Sequence, residues 1–421
     1  MVARDGEVDS RRARGVRRLT ELPAPLRLLL ATQFAFNVGF YLVVPFLAAY
    51  LTDTLQLAGW IVGAVLGLRT FSQQGMFVIG GALADRFGIR RSIVLGCAIR
   101  IAGFATLGLA PSLPGVVAGV VLIGLAAALF SPATEAAIVA WGGQVEAGGG
   151  STLREIVATE AVCAKLGSLV GPVLGAVLVA VPFATTCLVA AGLFGVILLA
   201  QLVWLPPGAR IGDPRSVAAS LRLVLANRPF LAFAALHSTY LLSYTQLYLA
   251  APVELRRIGA PAVAITWVFV AAALLVVVAQ LPVTRLALGW GRVATLRRGY
   301  LALAAGFACV AVCAPLASFP GVWAYAPLAS FVVLLHVGGI LVLPTARDVV
   351  ARLAGGQSLG TYLGFLASAG GLAVLVGSTI AGRLLDAAAG PGLSASLAWL
   401  FLAALPALSA LLIGPFCRRH L

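Results

Sequence analysis

The chain has 421 residues, of which 61% are hydrophobic and 10% charged, with a mean hydropathy of +1.04. A water-soluble domain carries about a quarter of its residues as charge, so lipid is the main solvent here and a soluble enzyme is excluded. A net charge of +15 would suggest nucleic acid as the partner of a soluble chain, but in a membrane chain it reports topology, and no nucleic-acid partner is expected.

Met1 to Pro25 is polar and charged and reads as a cytoplasmic tail. The apolar run behind it is too long for a signal-peptide core and no small-residue cleavage site follows, so it reads as a retained first helix. Apolar segments lie at 26–51, 58–84, 92–110, 114–141, 153–180, 183–205, 229–253, 262–288, 296–317, 321–346, 357–386 and 391–416. A span needs about 20 apolar residues, so the prediction is an all-α integral membrane protein with twelve transmembrane helices. Residues 26–205 form a first six-helix bundle, 206–228 a cytoplasmic linker, 229–416 a second bundle and 417–421 a short tail.

Cytoplasmic loops hold arginine and lysine where exported loops do not. With the N-terminus inside, 23 of the 29 basic residues fall on cytoplasmic segments, so both termini are expected in the cytoplasm of a cell-membrane protein. Six of the seven tryptophans fall near predicted helix ends, as an interfacial belt requires. Pro206 to Arg228 is the longest interior polar break, with Ser216 to Ala226 as a short amphipathic basic helix. Across it, Leu83-Ala84-Asp85-Arg86-Phe87-Gly88 aligns with Leu286-Ala287-Leu288-Gly289-Trp290-Gly291 at an offset of 203 residues. Two parallel, pseudo-symmetric halves enclosing a midplane site are a transporter architecture.

Ionisable groups at membrane depth cost several kcal/mol unless paired or hydrated, so each is a functional candidate. On the first helix Gln33, Asn37 and Tyr41 form one polar face at i, i+4, i+8, which fits a cavity lining. Arg69 and Gln73 follow on the second helix, and Arg100 on the third reads as structural. Glu135 lies one turn past Pro132, and Glu160 and Lys165 share the fifth helix. Five residues place Glu160 and Lys165 about 140° apart, too far round to pair easily, so Arg69 is the expected partner of Glu160. Glu135 and Glu160 are each either the carrier of a coupled proton or half of a structural ion pair with Arg69 or Arg100. Lys165 is the only lysine among 29 basic residues, and an amine gives up its proton on burial more readily than a guanidinium. On the seventh helix His237, Tyr240, Tyr244 and Tyr248 form an aromatic stripe with Gln246 nearby, either for flat amphiphilic substrates or for interhelical hydrogen bonds. His336 stands on the tenth. The six cysteines show no zinc spacing, and neither a disulfide framework nor a metal site is indicated.

The loop Gly81-Ala82-Leu83-Ala84-Asp85-Arg86-Phe87-Gly88-Ile89-Arg90-Arg91 resembles the major facilitator signature between helices two and three. Gly81, Asp85, Arg86, Gly88 and Arg90 are then the gating motif, with Ile89 where the family has a basic residue. Gly167, Gly171, Pro172 and Gly175 resemble the fifth-helix motif of drug/proton antiporters in that superfamily, and Gly39 and Pro45 fit its first-helix pattern. Two departures stand out. Val120 occupies a fourth-helix position that many members fill with arginine, and no acidic residue lies near Gly339. The resemblance implies a proton-coupled antiporter exporting small amphiphilic molecules by alternating access, as a monomer in lipid, with protons and a small-molecule substrate as partners and no cofactor. Proton-coupled uptake of an anionic or zwitterionic metabolite is the rival within transport, because Arg69 and Lys165 are cations at the midplane. A receptor or scaffold is the rival outside it. No nucleophile elbow, Walker loop or metal-ligand run supports an enzyme.

Overall fold

The computed structural model describes residues 22–77, 88–206, 217–316, 321–355, 359–387 and 393–420. The main elements are α1 (Ala24–Ala49), α2 (Gly59–Gln74), α3 (Ile89–Leu109), α4 (Leu113–Ala147), α5 (Leu153–Val177), α6 (Phe183–Trp204) and α7 (Val217–Ala226). There follow α8 (Arg228–Thr245), α9 (Ala250–Arg257), α10 (Ala264–Ala287), α11 (Arg292–Cys313), α12 (Ala326–Leu353), α13 (Leu359–Ala387) and α14 (Ser394–His420). No strand occurs among the described residues. Each of the twelve apolar segments holds helix, and ten helices among the described residues are long and apolar enough to cross a membrane. The other two segments are α2, described over 16 residues, and the seventh.

That seventh segment departs from its expected form. It is two helices, α8 and α9, joined by the turn Gln246–Leu249. Pro252 has no N–H to continue the ladder, and its ring excludes the carbonyl four residues back. The Gln246 carbonyl instead accepts from Ala250 N at 2.9 Å and Ala251 N at 3.0 Å. Tyr248 therefore sits in the turn, not on one unbroken stripe with His237, Tyr240 and Tyr244. Helices α4 and α12 also run past their expected ends at 141 and 346, so Arg347 and Asp348 are helical rather than loop residues.

Helix starts are set by local chemistry. Thr152 and Glu155 form a reciprocal capping box ahead of α5. Asn227 accepts from Phe230 N at 3.0 Å, donates to the Leu353 carbonyl at 2.9 Å and reaches Tyr362 Oη at 3.1 Å. One amide thus ties the starts of α8 and α13 to the end of α12. Gly88 opens α3 at φ 85°, a conformation that strains any residue with a Cβ.

Packing repeats with a six-span period. In the first half α1 packs on α5 and α6, α3 on α4 and α6, and α2 on α4; in the second, α8 packs on α13 and α14, α11 on α12 and α14, and α10 on α12. The halves meet through α2 against α13 and α5 against α10. This matching is the pseudo-symmetry anticipated from the sequence repeat.

Candidate functional site

Small residues build the site's walls. Gly167, Gly171 and Gly175 put α5 against α1 so closely that added Cβ atoms would lie 2.4 Å from the Phe34 carbonyl, 2.6 Å from Tyr41 Cβ and 2.3 Å from the Phe46 ring. Pro172 is buried in the same face. The motif read from sequence is thus a packing face, and it holds α1 where Tyr41 points towards the second half.

Alternation of the helices places the described ends of α1 and α14 on one face of the bundle, the termini face. At the opposite face the halves are sealed. A Cβ on Gly63 would sit 2.0 Å from the Ser378 carbonyl oxygen, one on Gly382 2.1 Å from the Gly59 carbonyl oxygen, and one on Gly67 2.7 Å from Leu375 Cα. Asp386 at the end of α13 accepts from Gly59 N at 2.6 Å and Trp60 N at 3.1 Å, capping α2 from the other half. Arg256 pairs with Asp53 at 2.5 Å, again across the halves. Sequence reasoning had missed these carboxylates because neither lies in a motif.

Beneath the seal is an aromatic centre. The side chains of Tyr41, Tyr244 and Tyr248 converge here close enough to interact electrostatically with one another, with Arg69 facing Tyr41 and Tyr248. Phe40 stands over the Arg69 guanidinium at 4.6 Å, and Phe269 packs on Tyr248 at 5.0 Å. Arg69 donates to Gln73 Oε1 at 2.6 Å. Nearer the termini face, Glu135 is exposed and Glu160 half-buried, each within Coulombic reach of the other, and Arg347 of α12 faces Glu135. Lys165 is exposed and lies within reach of His336 across the halves.

Several sequence expectations need correction. Among the described residues no ion pair joins Glu160 to Arg69, nor either glutamate to Arg100. Arg69 turns instead to its own helix and the tyrosines, and the cation facing Glu135 is Arg347, which sequence reading had counted as a loop charge. Gln246 does not line a cavity: it is fully buried and donates to the Leu242 carbonyl and to Ser378 Oγ within the second half. His237 is likewise enclosed, sharing a 2.9 Å hydrogen bond with Tyr300 and stacked between Phe233 and Tyr240. Its neighbour Tyr240 approaches Gly339 of α12, and His336 is buried with its Nδ1 2.7 Å from the Val332 carbonyl and its ring edge-on to Tyr244. Asn37 folds its amide back to the Gln33 carbonyl at 2.9 Å, and its Cβ lies against Gly167, so this part of the first-helix stripe belongs to the α1–α5 contact. Gln33 is half-buried. Of the gating motif, Gly81, Asp85 and Arg86 lie outside the described residues; Gly88 begins α3, and Arg90 donates to the Leu202 carbonyl at 2.6 Å.

Arg100 is buried among rings. Its guanidinium lies 3.7 Å from the Phe36 centroid, 5.1 Å from Phe194, 5.8 Å from Phe40 and 5.9 Å from Phe104. Val120, the position where the resemblance implies arginine, is fully buried on α4, and among the described residues the buried guanidinium groups of this half are Arg69 of α2 and Arg100 of α3.

The sequence model of the Major Facilitator Superfamily matches residues 29–378. An uncharacterized MFS-type transporter of Mycobacterium tuberculosis (strain ATCC 25618 / H37Rv) is 40% identical over 371 residues, covering 86% of each chain. Multidrug resistance protein MdtH of Aeromonas salmonicida (strain A449) is 29% identical over 377 residues, covering 89% of this chain and 91% of its own. Among solved structures, an auto inhibited POT family peptide transporter superposes with TM-score 0.77 at 17% identity, covering 95% and 98% of the two chains. Nucleoside transporter NupG superposes with TM-score 0.74 at 12% identity, covering 93% and 99%. These two likenesses show the fold.

Proposed function

The chain belongs to the Major Facilitator Superfamily and is a multi-pass membrane transporter, and from that premise we propose that it is a proton-coupled antiporter exporting small amphiphilic molecules from a cytoplasmic termini face. The observation that carries the reading is the placement of Glu135 and Glu160. Both lack an ion-pair partner among the described residues, both stand on the termini side of a centre sealed at the far side, and Arg347 faces Glu135 from the other half.

This arrangement makes protonation a conformational lever. An ionised Glu135 attracts Arg347 and draws α4 towards α12, which favours closing the termini face; a protonated one releases it. Glu160 adds like-charge repulsion when both are ionised, so one proton shared by the pair relieves it. A proton entering from the far side and leaving at the termini face therefore changes which state is favoured, and the substrate moves the other way. The aromatic centre supplies ring surface for an amphiphilic body. The name of the Aeromonas relative, a multidrug resistance protein, supports export.

The test is transport by purified protein in proteoliposomes under an imposed pH gradient, with a panel of amphiphilic cations and carboxylates. Gradient-driven accumulation on the acidic side is expected. Glu160→Gln keeps shape and removes titration, so flux driven by the gradient should fall at least about tenfold while the variant elutes as a folded monodisperse species. Unchanged coupling in that variant would acquit Glu160, and accumulation on the alkaline side would replace antiport with symport.

A further inference from the structure

The interior of the first half holds more positive charge than it neutralises. Arg69 is 7% exposed and Arg100 1% exposed, and no carboxylate among the described residues makes an ion pair with either. Arg69 Nε and Arg100 Nε and Nη1 are buried without hydrogen-bond partners. Leaving such donors unmade is costly, and a buried unpaired cation is normally neutralised by a partner or by a ligand.

The two arginines solve the problem differently. Arg100 is enclosed by phenylalanine faces and is closed off; its charge nevertheless acts on Arg69, which lies within its Coulombic reach. Arg69 has one ring and one amide, and beside it a small cavity is lined from both halves, by Val44 and Thr70 from the first and Tyr248 and Ser378 from the second. Thr70 and Thr245 already donate to the Leu66 and Leu242 carbonyls, so the side-chain donors left at this cavity are those of Arg69, Ser378 and Tyr248.

We propose that Arg69 anchors an anion subsite at the central junction of the halves, taking the carboxylate head of an amphiphilic substrate, with the Tyr41 and Tyr248 hydroxyls as further donors and Phe40 and Phe269 against the apolar body. The cavity, about 10 Å³ in this conformation, is lined from both halves, so an anion is seated only when they part and its affinity changes as they move, as a transported ligand requires. The field of Arg100 raises the preference for negative charge without contact. This inference rests on the transport reading and narrows its substrate class to anionic amphiphiles.

Equilibrium binding to the purified protein in nanodiscs tests it, using a dansyl-tagged fatty acid, its primary amide and its amine analogue, with no pH gradient. The acid should bind at least about tenfold more tightly than the amide, as a charge-assisted hydrogen bond to a buried guanidinium predicts. Arg69→Gln should bring acid and amide within roughly twofold, the level of an ordinary surface effect. Should Arg69→Gln fail to fold, Tyr248→Phe keeps the ring and removes one donor, and the acid preference should drop about threefold or more. Equal binding of all three probes, tighter binding of the amine, or an acid preference that survives in whichever variant folds would overturn the subsite. Gradient-driven flux is measured separately: lost acid preference with intact flux removes the subsite alone, and absent flux with intact preference removes the antiport reading alone.

Discussion

Replacing Gly63 with alanine offers a stringent test of the seal between the halves. The added Cβ would lie 2.0 Å from the Ser378 carbonyl oxygen, 2.7 Å from its carbon and 3.2 Å from Thr379 N, and all three are main-chain atoms that no rotamer change can withdraw. Normal contact needs about 3.5 Å, so α2 and α13 must part by more than about 1 Å wherever this seam is closed. Overpacking of this kind costs about 1–3 kcal/mol, and here the cost falls only on the conformation sealed at the far face. At about 1.4 kcal/mol per factor of ten, the sealed population should fall by roughly 5- to 150-fold relative to the opened one. The assay is the distance distribution between spin labels on the exposed residues Thr54 and Arg383, in a background with the six free cysteines replaced. Gly192→Ala is the control, since nothing lies within 4 Å of its added Cβ. A Gly63→Ala protein that folds normally and keeps the wild-type distribution would refute the reasoning.

Asp386→Ala should move the same equilibrium in the same direction by less, about two- to fivefold, because an exposed cap is worth the lower part of about 0.5–2 kcal/mol; Asp386→Asn, which keeps an acceptor, should fall between, and spin-label distances report both. Asn227→Ala removes three hydrogen bonds from one partly buried amide and should lower stability by about 1–3 kcal/mol, read as a fall in the thermal midpoint with the conformational ratio unchanged. Arg100→Met replaces an unpaired buried charge by an apolar side chain of similar length and should leave the thermal midpoint equal or higher. A falling midpoint would mean that the phenylalanine cage depends on the cation. If the midpoint rises while acid binding weakens, Arg100 is a functional charge held at a cost in stability.

The elements themselves were legible early because lipid imposes a simple rule: every main-chain polar group must be satisfied within its own segment, so apolar runs become helices. The seventh span escaped this reading. Pro252 is visible in the sequence, but whether a membrane proline kinks a helix or divides it depends on how the neighbouring main chain bonds, and here the Gln246 carbonyl accepts from both Ala250 N and Ala251 N and closes a turn. The far-face seal was less legible. Gly63 and Gly382 are two glycines among 47, and only their apposition across the halves distinguishes them. Arg347 was hidden for another reason: the hydropathy boundary at 346 assigned it to a loop, while α12 carries it on as helix to face Glu135.

Composition and hydrophobic length determined by themselves that the chain is helical and membrane-embedded, and the glycine-rich motifs were enough to identify its superfamily, because those properties depend on neighbours along the chain and on the solvent. Which charges meet was decided by tertiary structure. Arg69 and Glu160 are plausible partners by depth, yet a hydrogen bond or ion pair forms over about 3 to 4 Å, far finer than any spacing rule resolves. The helix faces, the turn at Gln246–Leu249 and the glycine seam orient each side chain over that last distance, and they leave Arg69 beside the tyrosines without a carboxylate partner among the described residues.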